Sequence, residues 1–461
     1  MSSEEIISLV DVHENTTENI SIQQTMDTAV ITLTRRDGSE VQASFDTRVV
    51  LENFSVKNFG AVGDGVTDDT DAVQQTIDSR KLVYIPTGIY LIRSELHMRE
   101  GSLLFGDGHD KSVLLKGIHS SHYDPWFMLN ARGADDVLVR DLGMNGNRLD
   151  INKGGLLAVN REINGDVASS SNFLVENCRF YKWNPTITPQ AALFLNVNAL
   201  TIERCVFVPA NENVQLGTDS YISITSDGCS KVSVRNNRME ASFTDPISVF
   251  IELYRCSKTV VDGNTFRGAR FLRADEGNLD ELTVSRNVCI VTDSAIDVSG
   301  SCGDLSVTGN SFRTITDNDD TSELVRVNGT CTNALLNANN FARSTPSRSN
   351  YSLLYFGPYT ESLSLVGNTF RMAAINDGIE IVSPFEVAFV RINDLCQQFV
   401  VANNVFRGST GVSIFGKYIG VSFGGSANTR TLAFMNSGTG TEGYTSYTSV
   451  GDTLSITNHT I

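Results

Sequence analysis

The chain has 461 residues, 41% of them hydrophobic, and a formal net charge of −17. That charge works against non-specific nucleic-acid binding, which needs a basic surface, and any polyanionic ligand would need a locally basic face. No apolar run is long enough to cross a bilayer, and Met1-Ser-Ser-Glu-Glu lacks the basic and apolar segments of a signal peptide, so neither membrane insertion nor Sec-type export is expected.

Residues 1–53 are polar and acidic, with one alternating stretch, Ala29-Val-Ile-Thr-Leu-Thr34, and a turn at Arg36-Asp37-Gly38. They predict a small β-hairpin module or an extended arm. Its functional reading is attachment to a larger assembly.

From residue 54 the character changes. Gly63-Asp64-Gly65 predicts a tight turn, and Thr67 or Asp68 the N-cap of a helix near residues 68–78, with acids in its first turn at the positive dipole end. Ala72, Val73, Thr76 and Ile77 share one face of that helix, which suits it to plug the open end of a repeat array. The strand Tyr84-Ile-Pro-Thr-Gly-Ile-Tyr90 follows. His109, His119, His122, Tyr123 and Trp126 come next; their spacing is a poor match to metal ligation, and the expectation is a loop packed on the first turns, with no metal and no cofactor.

Through the middle of the chain one phrase recurs: an aliphatic residue, an Asn three positions on, and a Phe two beyond that. It reads as Val261-Asp-Gly-Asn264-Thr-Phe266, Val307-Thr-Gly-Asn310-Ser-Phe312, Leu336-Asn-Ala-Asn339-Asn-Phe341, Leu365-Val-Gly-Asn368-Thr-Phe370 and Val401-Ala-Asn-Asn404-Val-Phe406. Weaker copies place Cys178 and Cys205 at the Asn position, or Met239 and Cys289 at the Phe position. A unit of variable length around one size signals repetition with loops of differing length. Each copy holds short runs of period two broken by Gly, Asn, Asp or Ser, which leaves no room for a helix. A parallel β-solenoid follows, in which equivalent positions stack about 4.8 Å apart: Asn over Asn as an amide ladder, Phe over Phe in the core. Insertions around Asn147–Ser171 and between Phe370 and Asn404 mark protruding loops or an extra strand pair. Cys178, Cys205, Cys229, Cys256, Cys289, Cys302 and Cys331 fall on inward or corner sites and read as buried thiols. Residues 409–461 lose the phrase, turn rich in Gly, Ser and Thr, and predict a β-rich cap.

The block from Gly63 to Thr70 followed by Tyr84 to Tyr90 resembles the N-terminal segment of the pectate-lyase-like superfamily of right-handed parallel β-helices, in the form common among bacteriophage tailspikes. With the repeats behind it, the resemblance covers about residues 54–408. It implies an all-β, right-handed parallel β-helix with an N-terminal capping helix and a C-terminal β-rich trimerisation cap over 409–461. It further implies a homotrimer in the virion tail, assembled in the host cytoplasm, joined to tail or adaptor proteins through its N-terminus and directed at a bacterial surface glycan. In that family the acidic cluster Asp64, Asp68, Asp69 and Asp71 is structural.

Parallel rungs present a face with repeating functional groups, suited to a long polymer. Aligning the rungs on the Val or Leu of the phrase puts Thr225, Glu252 and Asp275 near one outward column, with Asp297 joining if the next rung is one residue shorter. Arg273 and Arg326 lie at neighbouring outward positions, and Tyr254 and Trp183 are candidate aromatic platforms for sugar. Adjacent rungs lie about 4.8 Å apart and alternate ones about 9.6 Å, so Glu252–Asp275 would match the carboxyl spacing of a retaining glycosidase and Glu252–Asp297 would approach that of an inverting one. One acid would protonate the glycosidic oxygen, another would activate water or attack, and Arg273 would orient the sugar. Asp219, Asp227, Asp245, Glu276 and Asp280 are alternatives, and a site between subunits is open. Polysaccharide hydrolysis, lyase chemistry using the Arg267, Arg270 and Arg273 cluster, and binding without cleavage all remain compatible with these residues.

Overall fold

The structure is a computed structural model that describes residues 17–24, 28–35, 40–46, 54–118, 126–147, 155–183, 190–208, 222–240, 249–275, 277–315, 323–343, 351–357, 359–372, 385–392, 398–407, 416–423, 431–434, 437–439 and 456–457. Thr17–Gln24, Thr28–Arg35 and Glu40–Asp46 pair antiparallel in a three-stranded sheet, one strand more than a hairpin. From Asp64 onward the chain is a right-handed parallel β-helix of three long sheets, with 12, 14 and 14 described strands. One rung runs Val249–Tyr254 in the first sheet, Thr259–Asp262 in the second and Thr265–Gly268 in the third, and the next repeats the path as Arg270–Ala274, Asn278–Ser285 and Val288–Val291.

The recurring phrase is the corner from the second sheet to the third. Its aliphatic residue ends a second-sheet strand facing inward, and the residue before the Asn takes a left-handed conformation: Gly263, Gly309 and Gly367, but also Asn236, Arg286, Ala338 and Asn403. That single reversal turns the chain, and glycine adopts it without a Cβ penalty. The Asn is then aimed into the body. Each amide oxygen accepts from the backbone N–H and side-chain Nδ2 of the Asn one rung earlier, as in Asn264 to Asn287 (2.8 and 3.0 Å) and Asn287 to Asn310 (2.9 and 3.0 Å). Each Nδ2 also donates to the carbonyl of an aliphatic residue, for example Asn310 to Val284 at 2.8 Å. The ladder runs unbroken from Asn237 to Asn404, all buried. At its start Cys205 takes the place of Asn, its N–H bonded to Asn237 Oδ1 and its thiol donating to Val175 and Glu203 carbonyls.

Two positions on, the aromatic column stacks as expected: Phe180 on Phe207 with centroids 4.8 Å apart, and Phe341 on Phe370 at 5.3 Å. Where Cys289 interrupts the column, the smaller side chain leaves room that Phe271 of the first sheet fills, 5.7 Å from Phe266 and 6.5 Å from Phe312. The seven described cysteines are free and buried; Cys396 lies outside the described residues.

The N-terminal end is closed by the helix Thr70–Ser79, which buries Thr70, Val73, Thr76 and Ile77. Asp69 is its N-cap; Asp68 accepts from Thr70 N–H (3.1 Å) and hydroxyl, while the buried Asp69 carboxylate accepts from Val62 and Gly63 N–H at 2.6 and 3.1 Å. Asp64 accepts from Val66 and Thr67 N–H, and these bonds hold its carboxyl below the ordinary value. Gly63 has φ +70, and a Cβ there would meet the Tyr90 ring at 2.8 Å. The acidic motif is therefore a fastening for the cap.

Trp126 is buried at the start of the body; His119, His122 and Tyr123 lie outside the described residues. The 147–171 insertion contains an ordinary first-sheet strand, Leu157–Val159. Strand pairing does not stop at 408: Gly416–Phe423, Thr431–Phe434 and Ser437–Thr439 extend the first, second and third sheets in turn.

Candidate functional site

The outward column of the first sheet is set by strand register. Thr225 pairs with Glu252, Glu252 with Arg273, Arg273 with Asp297, Asp297 with Arg326, and Arg326 with Tyr355. Asp275 is not in this column. It stands two residues beyond Arg273, just past the end of the strand Arg270–Ala274, whose last residue pairs with Leu253, so the adjacent-rung pairing of Glu252 with Asp275 is replaced by Glu252 with Arg273. Glu252 and Asp297 are two rungs apart, about 9.6 Å along the coil, with the guanidinium between them.

Glu252 is 3% exposed. Its carboxyl accepts from the Thr225 hydroxyl at 3.2 Å, hydrogen-bonds with Tyr254, and lies 3.7 Å from Arg273 Nη1. Burial outweighs these contacts and raises its pKa above the ordinary 4.5. Burial also raises Asp297 above 3.8, against the pull of Arg326 and Arg270. Asp297 Oδ1 and Arg326 Nε face each other at 3.7 Å, and neither has a hydrogen-bond partner among the described residues. Arg273 forms an ion pair with Asp275, which also accepts from the Ser299 hydroxyl. Asp275 thereby fixes Arg273 and is committed to two partners. Tyr254, whose phenol burial pushes up, stands beside Glu252. Trp183 is elsewhere: it is fully buried in the core and offers no platform to a sugar.

A contributor missed in the sequence is Asp293. It forms an ion pair with Arg270 and lies 3.9 Å from Arg326, which Glu323 also approaches at 3.6 Å. The signal was available, because Asp293 follows Arg270 by 23 residues, the step from Asn264 to Asn287. Of the alternative acids, Asp227 is held by Arg255 at 2.8 Å and Asp280 is exposed on the second sheet; Asp219, Asp245 and Glu276 lie outside the described residues.

Chain connections at the corner leading into the first sheet vary along the coil. Ala269 alone joins the strands ahead of Arg273, and residues 292–295 those ahead of Asp297. On the flanking rungs the connections are 209–221, 241–248 and 315–324. Between Val206 and Val327, the two shortest corners thus coincide with the middle of the charged column. Chemically, the column offers a buried acid held toward its protonated form, a second raised acid two rungs away with an unoccupied lone pair, and guanidinium groups between and beyond them.

Residues 53–194 match the family model described as rhamnogalacturonase A/epimerase, pectate lyase-like. The chain is similar to a pre-neck appendage protein of Bacillus phage B103, 33% identical over 96 residues, or 20% of this chain and 11% of that protein. It is also similar to a mannuronan C5-epimerase of Azotobacter vinelandii, 32% identical over 111 residues, covering 21% and 20%. Each curated relative is matched over only a fifth of its length or less. Among solved structures, a tailspike protein of E. coli bacteriophage HK620 superposes with a TM-score of 0.42 at 12% identity, covering 91% of this chain and 84% of that one.

Proposed function

We propose that this chain is a virion-associated phage tail protein that binds a host-surface polysaccharide along its first sheet and hydrolyses it there. The similarity to a phage appendage protein supports the phage assignment, and the pectate-lyase-like match together with the similarity to a mannuronan epimerase supports a polysaccharide ligand. The observation that carries the chemistry is the column itself: two acids with raised pKa values, two rungs apart, separated by Arg273.

In this reading Glu252 is the proton donor. A carboxyl that burial keeps protonated toward neutral pH can give its proton to the glycosidic oxygen as the bond to the anomeric carbon breaks. Asp297 is the base: its Oδ1, which accepts no hydrogen bond among the described residues, takes a proton from the water that attacks the anomeric carbon on the opposite face of the sugar. The spacing of alternate rungs, about 9.6 Å, lies just beyond the inverting range of about 6.5–9.5 Å and far from the retaining one. Arg273, anchored by Asp275, and Arg326 hold sugar oxygens, and Tyr254 supplies a hydroxyl and a ring edge beside the donor. Homotrimerisation and attachment through residues 1–53 belong to the same proposal.

A second reading is binding without cleavage. It is favoured by the ion pairs of Arg273 and Arg326 with the acids around them, since charge ladders of this kind also occur as purely structural devices. Incubation with envelope polysaccharide separates the readings. New reducing ends without ultraviolet absorbance support hydrolysis; absorbance from unsaturated sugars means elimination; retention of polymer without new ends leaves binding alone.

A further inference from the structure

The charges along the first sheet are unequal in number, and the excess bears on what can lie there. Between Asp227 and Arg326 the ion pairs on and beside that sheet join six carboxyl groups to four guanidinium groups. Arg255 is held by Asp227, and Arg270 by Asp293. Arg273 is shared by Asp275 and Glu252, and Arg326 by Asp293, Asp297 and Glu323. Each of the four guanidinium groups thus already stands against an acid of this chain, and the described first-sheet strands of these rungs contain no lysine. The local sign is negative, as it is for the molecule as a whole.

Hydrogen-bonding capacity is one-sided in the same way. The Thr225 hydroxyl donates to Glu252, and the Ser299 hydroxyl to Asp275. Asp297 is 9% exposed, and its Oδ1 has no donor among the described residues. An ionised carboxylate only accepts, so the column is rich in acceptors and short of donors. A carboxylate brought by a ligand would add acceptors. It could reach Arg273 or Arg326 only by displacing Asp275 or Asp297, and so would leave a largely buried acid uncompensated. A sugar hydroxyl or an amide N–H brings the donor that is lacking. Toward the N-terminus the outward positions turn apolar: Leu193 is in register with Thr225, and Leu195 with Asp227. Their strand, Gln190–Leu195, supplies no cation on that side.

We propose that the glycan on this column is uncharged, recognised through its hydroxyl and amide protons, with no carboxylate, sulfate or phosphate on the units that cross from Thr225 to Arg326. The inference rests on reading the column as a polysaccharide track, and it narrows the chemistry there. Elimination needs a carboxylate beside the carbon that loses its proton, and an uncharged sugar has none, so cleavage on this column is hydrolytic.

The test uses the full chain carrying Glu252→Gln, so that polymer is held and not cut. It is titrated calorimetrically with purified bacterial surface polysaccharides of known structure, one set uncharged and one bearing uronate or phosphate. Binding should be confined to the uncharged set, and its affinity should change by less than about twofold as salt is raised from about 0.05 to 0.5 M. Adding Arg273→Gln/Asp275→Asn, which removes both partners of one ion pair, should weaken that binding at least about tenfold. An acidic polymer held by the Glu252→Gln chain and lost with the added pair overturns the substrate class and leaves the track standing. A salt-weakened affinity for the bound polymer overturns the class as well. Equal binding with and without the added pair, or no binding from either set, removes the track itself and the inference with it. The choice of polymer and the salt response are read on the Glu252→Gln chain, and they decide the class even if the added pair prevents folding.

Discussion

Arg273 lies in register with Glu252, one rung further along the coil, and places Nη1 3.7 Å from the Glu252 carboxylate while its other terminal nitrogen is taken by Asp275. The guanidinium is thus held between the buried Glu252 and the half-buried Asp275. If Glu252 and Asp297 are donor and base, Glu252→Gln and Asp297→Asn should each lower the rate of reducing-end release by at least about 10²-fold while polymer retention stays near the unmodified level. Asp275→Asn should act more mildly, through Arg273, and mainly on substrate affinity. Full activity in both Glu252→Gln and Asp297→Asn would remove the hydrolytic assignment and leave the binding reading.

The same burial that suits these acids to chemistry costs the fold. Their folded pKa values lie above the ordinary 4.5 and 3.8, so the folded protein holds these protons more tightly than the unfolded chain. The stability they contribute is complete below the ordinary values and is lost as pH rises through the folded ones. Glu252→Gln and Asp297→Asn should therefore raise the urea midpoint at pH 7, and the gain should shrink as pH falls through the raised folded values and be gone below the ordinary 4.5 and 3.8. A midpoint at pH 7 that is lower in both variants would show that the ion pairs with Arg273 and Arg326 outweigh desolvation.

The fold was legible because a buried Asn is costly unless each of its hydrogen bonds is met, and a chain that repeats one at near-constant spacing reveals the ladder that meets them. The helical cap was legible for a similar reason, although its start falls at Thr70 and its acids bond backbone N–H groups in front of it. The charged column was misread by two residues at one rung, where Asp275 was expected and Arg273 stands. Counting back nine positions from Val261 reaches Glu252, but Arg273 stands eleven before Val284, because the corner between the first and second sheets lengthens at that rung. A better ruler was present: two consecutive buried apolar residues precede the column position on each of these rungs, Phe250-Ile251, Phe271-Leu272 and Ala295-Ile296. The residue after each pair is Glu252, Arg273 and Asp297. Trp183 failed as a platform because a large aromatic beside a corner gains more from burial than from exposure.

Along the ladder, Asn310 bonds in both directions: it accepts from Asn287 N–H and Nδ2 and donates to Val284 O and Asn339 Oδ1. Replacing it with Ala or Leu strands several of these groups in the core. The expected loss is about 1–3 kcal/mol for each group left unsatisfied, read as a drop in urea midpoint far larger than for the exposed Val288→Thr on the preceding rung. A change within about 0.5 kcal/mol would mean that the amide column fixes register without adding to stability.

At the other end of the body a buried base gives the opposite pH signature. Lys116 closes the third-sheet strand Ser112–Lys116 with its Nζ fully enclosed, donating to the Trp126 and Gly155 carbonyls at 2.7 and 3.2 Å and lying 4.4 Å from the Trp126 ring centroid. Burial pushes its pKa down to about 7 from 10.5, with Glu95 opposing. Between those two values the unfolded chain carries a proton that the folded protein has released, so this group makes stability rise with pH from about 7 toward 10.5. Lys116→Met keeps the length of the side chain and removes the titration. The difference in urea midpoint between the unmodified protein and Lys116→Met should therefore move in favour of Lys116 as the pH is raised from 7 to 9.5, because a neutral amine still donates to both carbonyls at no desolvation cost while Met leaves them bare. A difference that stays constant over that range would show that Lys116 remains charged in the folded state and that its two carbonyls, with the Trp126 face, repay the burial of the ammonium group.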